Sequence, residues 1–150
     1  MAQSLHSNFA HLVFSTKNRE PMINGEVSAR IHSYMAGIVI DNGAVLIAIN
    51  GMPDHVHLLI KSSKNISDAN FVKELKGGSS TWINEQRLVG GRFQWQAGYG
   101  WFSVSPKDTN LVESYIQKQA EHHEKLTFQE EYRKFLNNYK VDYDERYVWD

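Results

Sequence analysis

The sequence predicts an α+β domain of the ferredoxin-like class, an α/β sandwich whose antiparallel sheet carries helices on one face and is followed by a further helix. Two observations predict it. The apolar patterns follow the order β-α-β-β-α-β and then a helix, and a chain of 150 residues, 41% apolar and 12% aromatic, suits one domain spanning residues 1–150. This fold supports many functions, so function has to be inferred from particular side chains.

The first half of the chain predicts three strands and one helix. Residues 6–16 alternate loosely between polar and apolar side chains, which predicts the first strand. Asn24 can cap a helix whose apolar residues recur at helical spacing until Asp41-Asn42-Gly43. Residues 44–50 predict the second strand, and residues 55–61 predict a third strand that pairs antiparallel with it.

The second half opens with a long helix. Ser67 or Asp68 can cap it, and its apolar pattern runs toward Gln86. Gly77-Gly78 should interrupt this helix, because glycine is costly in a helix interior. Small residues at this point suit the close approach of another part of the chain.

Three further segments complete the fold. Residues 93–104 are rich in aromatic side chains and predict the fourth strand. The helix predicted for residues 106–119 begins at a proline and carries a tyrosine and a glutamine four residues apart. Residues 128–136 predict a short amphipathic helix.

Composition excludes several classes of protein. The chain has no cysteine, which excludes a disulfide scaffold, a thiolate zinc site and a cysteine nucleophile, and suits a reducing cytoplasm. No apolar run approaches the roughly 20 residues of a membrane-spanning helix. Residues 1–4 lack the charged and apolar regions of a signal peptide. We therefore expect a cytoplasmic protein with no membrane partner.

Charge is unevenly distributed along the chain. The net charge of −1 is low for a nucleic-acid-binding protein. Residues 61–92 nevertheless hold six Lys and Arg against three Asp and Glu, whereas residues 121–150 hold five against eight. Affinity for a nucleic acid would therefore depend on a localised basic patch, although ordinary surface charge explains the same pattern.

The motif Asp54-His55-Val56-His57 stands at the start of the third predicted strand. Strand side chains alternate between faces, so His55 and His57 should share one face, about 7 Å apart, while Val56 enters the core. Two imidazoles on a rigid strand can share one divalent cation. Two histidines at this spacing also occur by chance, either at the surface or satisfied inside a core, and the pair needs a third ligand.

Tyr115 and Gln119 can complete such a site, because residues four apart lie on one face of a helix. The Gln119 amide oxygen is a hard, neutral ligand that would leave positions on Mg2+ or Mn2+ open for phosphate oxygens. A cation beside Tyr115 would favour the phenolate, which can attack phosphorus and form a phosphotyrosine. Taken singly, a helical tyrosine is usually packing and a glutamine is usually at the surface.

Several stretches together resemble a known family. The motif in residues 51–59 is similar to the histidine–hydrophobic–histidine (HUH) motif of the single-tyrosine transposases of bacterial insertion sequences, the insertion-sequence 200/605 group. The segments that carry the rest of the resemblance are Tyr115-Ile116 with Gln119 and His122-His123, Phe93-Gln94-Trp95-Gln96 with Gly98-Tyr99-Gly100, and Lys76 with Ser79-Ser80.

The resemblance implies a homodimeric enzyme, with sheets joined edge to edge, that cuts and rejoins single-stranded DNA and recognises DNA hairpins. It implies that Tyr115 is the nucleophile that forms a 5′-phosphotyrosine. It also implies that His55, His57 and Gln119 hold Mg2+ or Mn2+, with no organic cofactor.

Contacts with DNA are predicted from basic and hydroxyl side chains. The candidates for phosphate binding are Lys17, Arg19, Lys73, Lys76, Ser79 and Ser80. Trp82 could stack on a base, but its helical spacing favours the core. His123 could lie near the metal, although an exposed helix end is the plainer interpretation.

Three alternatives remain open. A replication-initiator or relaxase-type nickase also pairs an HUH motif with tyrosine, usually within a longer chain. A non-catalytic ferredoxin-like module would bind nucleic acid through aromatic residues on its central strands, and residues 57–61 contain none. A metal-dependent phosphohydrolase would use water in place of Tyr115.

Overall fold

In the computed structural model, residues 2–150 are described, and they form a four-stranded antiparallel sheet in the order β2-β3-β1-β4. This order confirms the predicted α+β, ferredoxin-like fold. The strands are β1 (Phe9–Ser15), β2 (Val45–Met52), β3 (His55–Lys61) and β4 (Gly100–Val104). The helices are α1 (Gly25–Asp41), α2 (Asp68–Glu85), α3 (Thr109–Gln117), α4 (Gln119–His122) and α5 (Phe128–Asn138).

The two faces of the sheet bury different side chains. Leu12, Val56 and Leu58 belong to the main core, which α1 and α2 cover. The residues between them on the strands face the other way, toward α3 and α5. The polar side chains of the candidate site therefore lie beneath the C-terminal helices rather than in the main core.

Helix α2 begins as the sequence predicts but is not interrupted. The Ser67 side chain accepts a hydrogen bond from the backbone N–H of Asn70, which caps the helix. Gly77 and Gly78 stay helical, so the predicted interruption is wrong. A Cβ on Gly78 would stand 3.0 Å from Ile38 Cδ1 of α1, so the missing side chain lets the two helices pack closely.

The fourth strand is shorter than predicted. Only residues 100–104 pair as β4, and the segment before them contacts the sheet through an isolated bridge between Trp95 and Thr16. Side chains hold this segment instead of a ladder: the Asn84 amide donates to the Phe93 carbonyl at 3.0 Å and accepts from its N–H at 2.8 Å. The aromatic residues of this segment predicted a strand, and Phe93 and Trp95 are indeed buried as strand residues usually are, although within residues 2–150 this segment pairs with no neighbouring strand beyond the single bridge.

The helix predicted for residues 106–119 is divided in two. It opens with a 3-10 turn at Pro106–Asp108, and Lys118 leaves helical geometry between α3 and α4. The Asn50 side chain of β2 donates to the carbonyls of Ile116 (3.1 Å) and Gln117 (3.2 Å) at the end of α3. This contact satisfies carbonyl groups that the break would leave without partners. Among residues 2–150, none of the helices is long and apolar enough to cross a membrane.

Candidate metal and nucleophile site

The two histidines of β3 lie side by side on the face opposite Val56. Both are buried, and their ring centroids are 5.1 Å apart with the ring planes at 76°. His57 lies opposite Val13 of β1, and His55 lies opposite Ser15. The alternation of a strand places the pair as the sequence predicts, and β1 and β2 hold it from both sides.

Four side chains direct ligand atoms toward one point beside the sheet. The Nε2 atoms of His57, His123 and His55 lie 2.9, 3.2 and 3.7 Å from Oε1 of Glu131. One donor atom from each of these four residues lies within 4.8 Å of the others. We call these four residues the His–Glu cluster.

Gln119 also reaches this point, although it does not share a continuous helix with Tyr115. Its side chain is fully buried, and its Oε1 lies 3.2 Å from Nε2 of His55. Its amide nitrogen lies 3.4 Å from the Tyr115 carbonyl, across the break at Lys118. The break turns the chain so that Gln119, on α4, still faces the histidines.

Tyr115 lies at the edge of the same cluster. Its hydroxyl donates a hydrogen bond to Oε2 of Glu131. Its ring stacks on His122, with centroids 4.2 Å apart. Burial and the Glu131 carboxylate raise the pKa of Tyr115 above its ordinary value. The phenol is therefore neutral at pH 7, and forming a phenolate requires a nearby positive charge.

Charge in the cluster is set by burial and hydrogen bonds. Burial lowers the pKa of His57 to about 4 against the opposing effect of Glu131, so this imidazole is neutral at pH 7. Burial alone would raise the pKa of Glu131, but hydrogen bonds from His123, His57 and Tyr115 outweigh it and hold that pKa well below its usual range. A neutral imidazole at His57 beside an ionised Glu131 carboxylate is a protonation state that suits cation binding.

These donors fit a divalent cation. Ligands about 2.1 Å from one ion lie about 3.0 Å apart at octahedral angles and about 3.4 Å apart at tetrahedral angles. The distances from Glu131 Oε1 to the three imidazoles and from Gln119 to His55 fall around these values. The residues His55, His57 and Gln119 that the sequence selects are thus three of five donors in one place.

Two predicted phosphate-binding residues have partners within the chain. The Lys76 ammonium donates to the carbonyls of Gln96 (2.6 Å), Ala97 (3.1 Å) and Gly98 (2.8 Å). Ser79 is buried, donates to the Leu75 carbonyl and accepts from the Trp95 indole at 2.9 Å. Both side chains attach the segment around residues 95–98 to α2.

The other predicted DNA contacts lie at the surface. Lys17 and Lys73 are exposed, while Ser80 is half-buried and donates to the Gly77 carbonyl. The Arg19 guanidinium lies over the Trp149 ring, 5.8 Å from its centroid. Trp82 is half-buried and stacks on Tyr34 with centroids 4.2 Å apart. Contacts of these residues with DNA stay predictions.

Sequence reasoning missed Glu131 and His11. Glu131 lies on α5 among Phe128, Tyr132 and Leu136, which are the buried residues of that helix. An acidic residue on the apolar face of an amphipathic helix is the available signal, because a buried carboxylate needs a partner. His11 on β1 is also buried, and its Nε2 lies 2.7 Å from Nδ1 of His57.

Comparison with known sequences identifies relatives. A family model described as Transposase IS200 like matches residues 4–119. The ISDra2 transposase TnpA of Deinococcus radiodurans is 31% identical over 115 residues, which cover 73% of this chain and 81% of that protein. The transposase for insertion sequence element IS200 of Salmonella typhimurium is 27% identical over 116 residues, which cover 74% of this chain and 76% of that protein.

Solved structures show the same fold. A crystal structure named as that of a transposase from Deinococcus radiodurans R1 superposes with a TM-score of 0.62 at 28% identity, over 79% of this chain and 98% of that one. The REP-associated tyrosine transposase, solved bound to a REP hairpin, superposes with a TM-score of 0.61 over 82% of this chain and 74% of that one. The second match has 13% identity and bears on the fold alone.

The fold and the relatives define a DNA-processing enzyme of the transposase class. The chain belongs to the IS200-like transposase family, which confirms the resemblance found from the sequence. The matched segment ends at Gln119, so Glu131 and His123 lie beyond it.

Proposed function

We propose that this protein cuts and rejoins single-stranded DNA through a 5′-phosphotyrosine on Tyr115, with Mg2+ or Mn2+ held by His55, His57 and Gln119. One observation carries the proposal. In a chain of a transposase family, the Tyr115 hydroxyl and the side chains of His55, His57 and Gln119 lie around one point, next to the Glu131 carboxylate. A nucleophile and a divalent cation can then act on the same phosphate.

The chemical step is a transesterification. The Tyr115 oxygen forms a bond to phosphorus while the bond from phosphorus to the 3′ oxygen breaks. The Tyr115 hydroxyl loses its proton as this bond forms, and the 3′ oxygen takes up a proton to become a free hydroxyl. When bound, the cation would neutralise charge on the phosphate and so favour the attack.

Rejoining is the reverse of this step. The phosphotyrosine keeps the phosphodiester bond energy, so a strand with a free 3′-OH can attack it and release the phenol. Tyr115 takes up a proton again as the new phosphodiester bond forms, and its hydroxyl can then donate once more to Oε2 of Glu131. A covalent intermediate of this kind distinguishes a strand-transfer enzyme from a nuclease that uses water.

The DNA partner is proposed from relatives and from the surface. The resemblance to the insertion-sequence 200/605 group implies recognition of DNA hairpins, and we propose that this chain recognises a hairpin in single-stranded DNA. The REP-associated tyrosine transposase, which shares the fold, was solved bound to a REP hairpin. We propose that Lys17, Arg19, Lys73 and Ser80 contact phosphates, whereas Lys76 and Ser79 would first have to leave their partners.

We also propose that the protein forms a homodimer joined through an edge strand of the sheet, β2 or β4. We propose that it works in the cytoplasm, where chromosomal DNA is accessible.

The test uses the DNA that flanks the reading frame. Wild-type protein, incubated with Mg2+ or Mn2+ and single-stranded DNA from either side of the frame, should give a protein–DNA adduct that survives a denaturing gel. Tyr115→Phe should give no adduct and keep its DNA binding, whereas the control Tyr99→Phe should behave like wild type. Cleavage by Tyr115→Phe would show that water is the nucleophile and would refute the proposal.

A further inference from the structure

We infer that His123 and Glu131 are additional metal ligands, so that three imidazoles, one carboxylate and the Gln119 amide form a centre that selects a first-row transition ion over Mg2+. This inference rests on the proposed function and specifies its metal site. The two added ligands lie outside residues 4–119, the segment shared with the family. The family match therefore does not assign these two residues, and the inference depends on where the structure places them.

Hydrogen-bond partners at Nδ1 fix the orientation of the imidazoles of His55 and His123, so that Nε2 is the nitrogen available to a metal. Nδ1 of His55 lies 2.6 Å from Asp54 Oδ1, and Nδ1 of His123 lies 2.6 Å from the Leu126 carbonyl. Metal-binding histidines usually make such a bond to a carboxylate or backbone carbonyl, which fixes the tautomer that leaves Nε2 free to bind. His123 thus has the same arrangement as His55, although sequence reasoning favoured an exposed helix end.

Nδ1 of His57 also has a hydrogen-bond partner, which is another histidine rather than a carboxylate or a carbonyl. Its Nδ1 lies 2.7 Å from Nε2 of His11, a buried imidazole on the neighbouring strand. A pair of imidazoles can share the proton between these nitrogens in either direction. In the neutral tautomer that donates from Nδ1 to His11, His57 has its Nε2 free to bind a metal.

The two carboxylate oxygens of Glu131 contact different groups. Oε1 faces the three Nε2 atoms, and Oε2 accepts the hydrogen bond of Tyr115. The residue is only 2% exposed, and an ionised carboxylate at that depth needs positive charge close by. A cation bound at Oε1 supplies that charge without removing the contact to Tyr115.

Helix α5 is built to bring this carboxylate to the sheet. The Thr127 side chain caps the helix by accepting from the Glu130 N–H at 3.2 Å. Phe128 packs beside His55, with ring centroids 4.7 Å apart, and Tyr132 and Leu136 fix the same face of the helix. Glu131 therefore enters the site from a well-packed element rather than from a loop.

The donor set decides which ion is preferred. Mg2+ favours oxygen ligands and keeps several of its waters, whereas imidazole nitrogen favours transition ions such as Co2+ and Zn2+. Three imidazoles against two oxygens make a nitrogen-rich site. We expect Mg2+ to bind weakly here and to compete poorly with a transition ion.

The experiment titrates Co2+ into the full-length protein and follows its visible absorption, which reports the ligands around the ion. Wild type should show a strong band that a hundredfold excess of Mg2+ does not remove. Glu131→Gln and His123→Asn should each weaken Co2+ binding by at least about tenfold. Glu130→Gln makes the same chemical change at the exposed neighbouring residue and should leave binding unchanged.

The outcomes separate this inference from the proposed function. If Glu131→Gln and His123→Asn, folded by circular dichroism, bind Co2+ like wild type while His57→Ala does not, the inference is overturned and the three-ligand site stands. Ready displacement of Co2+ by Mg2+ also overturns it. If wild type binds no divalent ion at all, the proposed function fails together with the inference. Two variants on different elements keep the test decisive should one of them not fold.

Discussion

The hydroxyl of Tyr115 and the carboxylate of Glu131 are hydrogen-bonded across the gap between α3 and α5. Glu131 thereby connects the proposed nucleophile to the histidines of β3, which its other oxygen contacts. Both residues belong to the same chain as the His–Glu cluster, so one chain supplies every side chain of the candidate site.

This relationship predicts that each chain carries a complete active site, whether or not two chains form a dimer. Tyr115→Phe and His57→Ala chains, each inactive, should remain inactive when they are mixed under conditions that exchange subunits, because neither chain has a complete site. Adduct formation on a denaturing gel measures this outcome. If mixing restores close to a quarter or a half of wild-type activity, the tyrosine of one subunit serves the histidines of another, and the arrangement within one chain is not the active one.

Asn50 should act as a positioning residue. Asn50→Ala removes the two hydrogen bonds that hold the end of α3, so Tyr115 and Gln119 lose their fixed placement. We expect cleavage to slow about 10- to 100-fold with DNA affinity unchanged, and the unfolding free energy to fall by about 1 kcal/mol.

Asn42→Ala is the matched control for this variant. Asn42 likewise donates from its side chain to a helix carbonyl, that of Ile38 in α1, far from the cluster. The unfolding free energy of Asn42→Ala should fall by a similar amount to that of Asn50→Ala, while its cleavage rate should equal that of wild type. Equal rates in the two variants would show that the Asn50 contact is merely structural.

Lys76 should contribute more to stability than to DNA binding. Lys76→Met removes three hydrogen bonds to the carbonyls of residues 96–98, and we expect the unfolding free energy to fall by about 1 to 3 kcal/mol. Lys73→Met, one turn earlier and exposed, should change it by less than about 0.5 kcal/mol. Urea unfolding and DNA titration compare the two. Full stability with weakened DNA binding in Lys76→Met would favour a direct phosphate contact instead.

The buried histidines predict loss of stability in mild acid when metal is removed with EDTA. Burial, and then repulsion from His57, lowers the pKa of His11 to about 3, while burial lowers the pKa of His57 to about 4. The unfolded chain takes up protons at both below its pKa of about 6.5, whereas the folded chain does not. The unfolding free energy should therefore fall between pH 7 and pH 5.

One substitution tests the sign and the size of this effect. The pKa of His123 is raised, so this residue opposes the trend, but the lowered pKa values of His11, His57 and the half-buried His32 outweigh it. His11→Asn removes one proton uptake, which flattens the dependence by at most about 1.4 kcal/mol per pH unit. Urea unfolding at several pH values measures both slopes. Identical slopes in wild type and variant would contradict a neutral buried His11.

Local patterns in the sequence determine much of this fold and part of the site. The bounds of β3, the direction of His55 and His57 and the cap at Ser67 follow from strand alternation and capping chemistry, which act within a few residues. The break at Lys118 could not be predicted in this way, because the side chain that satisfies the carbonyls there is that of Asn50 on β2, which is distant in the sequence.

Glu131 illustrates what the sequence leaves undetermined. Its place in the site depends on how α5 docks on the sheet, and its neighbours in the His–Glu cluster come together only when three separate segments meet. Lys76 is a similar case, because a lysine that donates to carbonyls and a lysine that binds phosphate have the same sequence signature. Both require tertiary contacts before their partners can be named.

Peptide mapping of the covalent adduct tests the central claim most directly. Adduct formed by wild-type protein on single-stranded DNA, digested with nuclease and protease, should give one peptide with added nucleotide mass. The mass should fall on Tyr115, with the phosphate linked to the 5′ end of the DNA. Modification of any other tyrosine, or cleaved DNA with no peptide attached, would contradict the assignment of Tyr115 as the nucleophile.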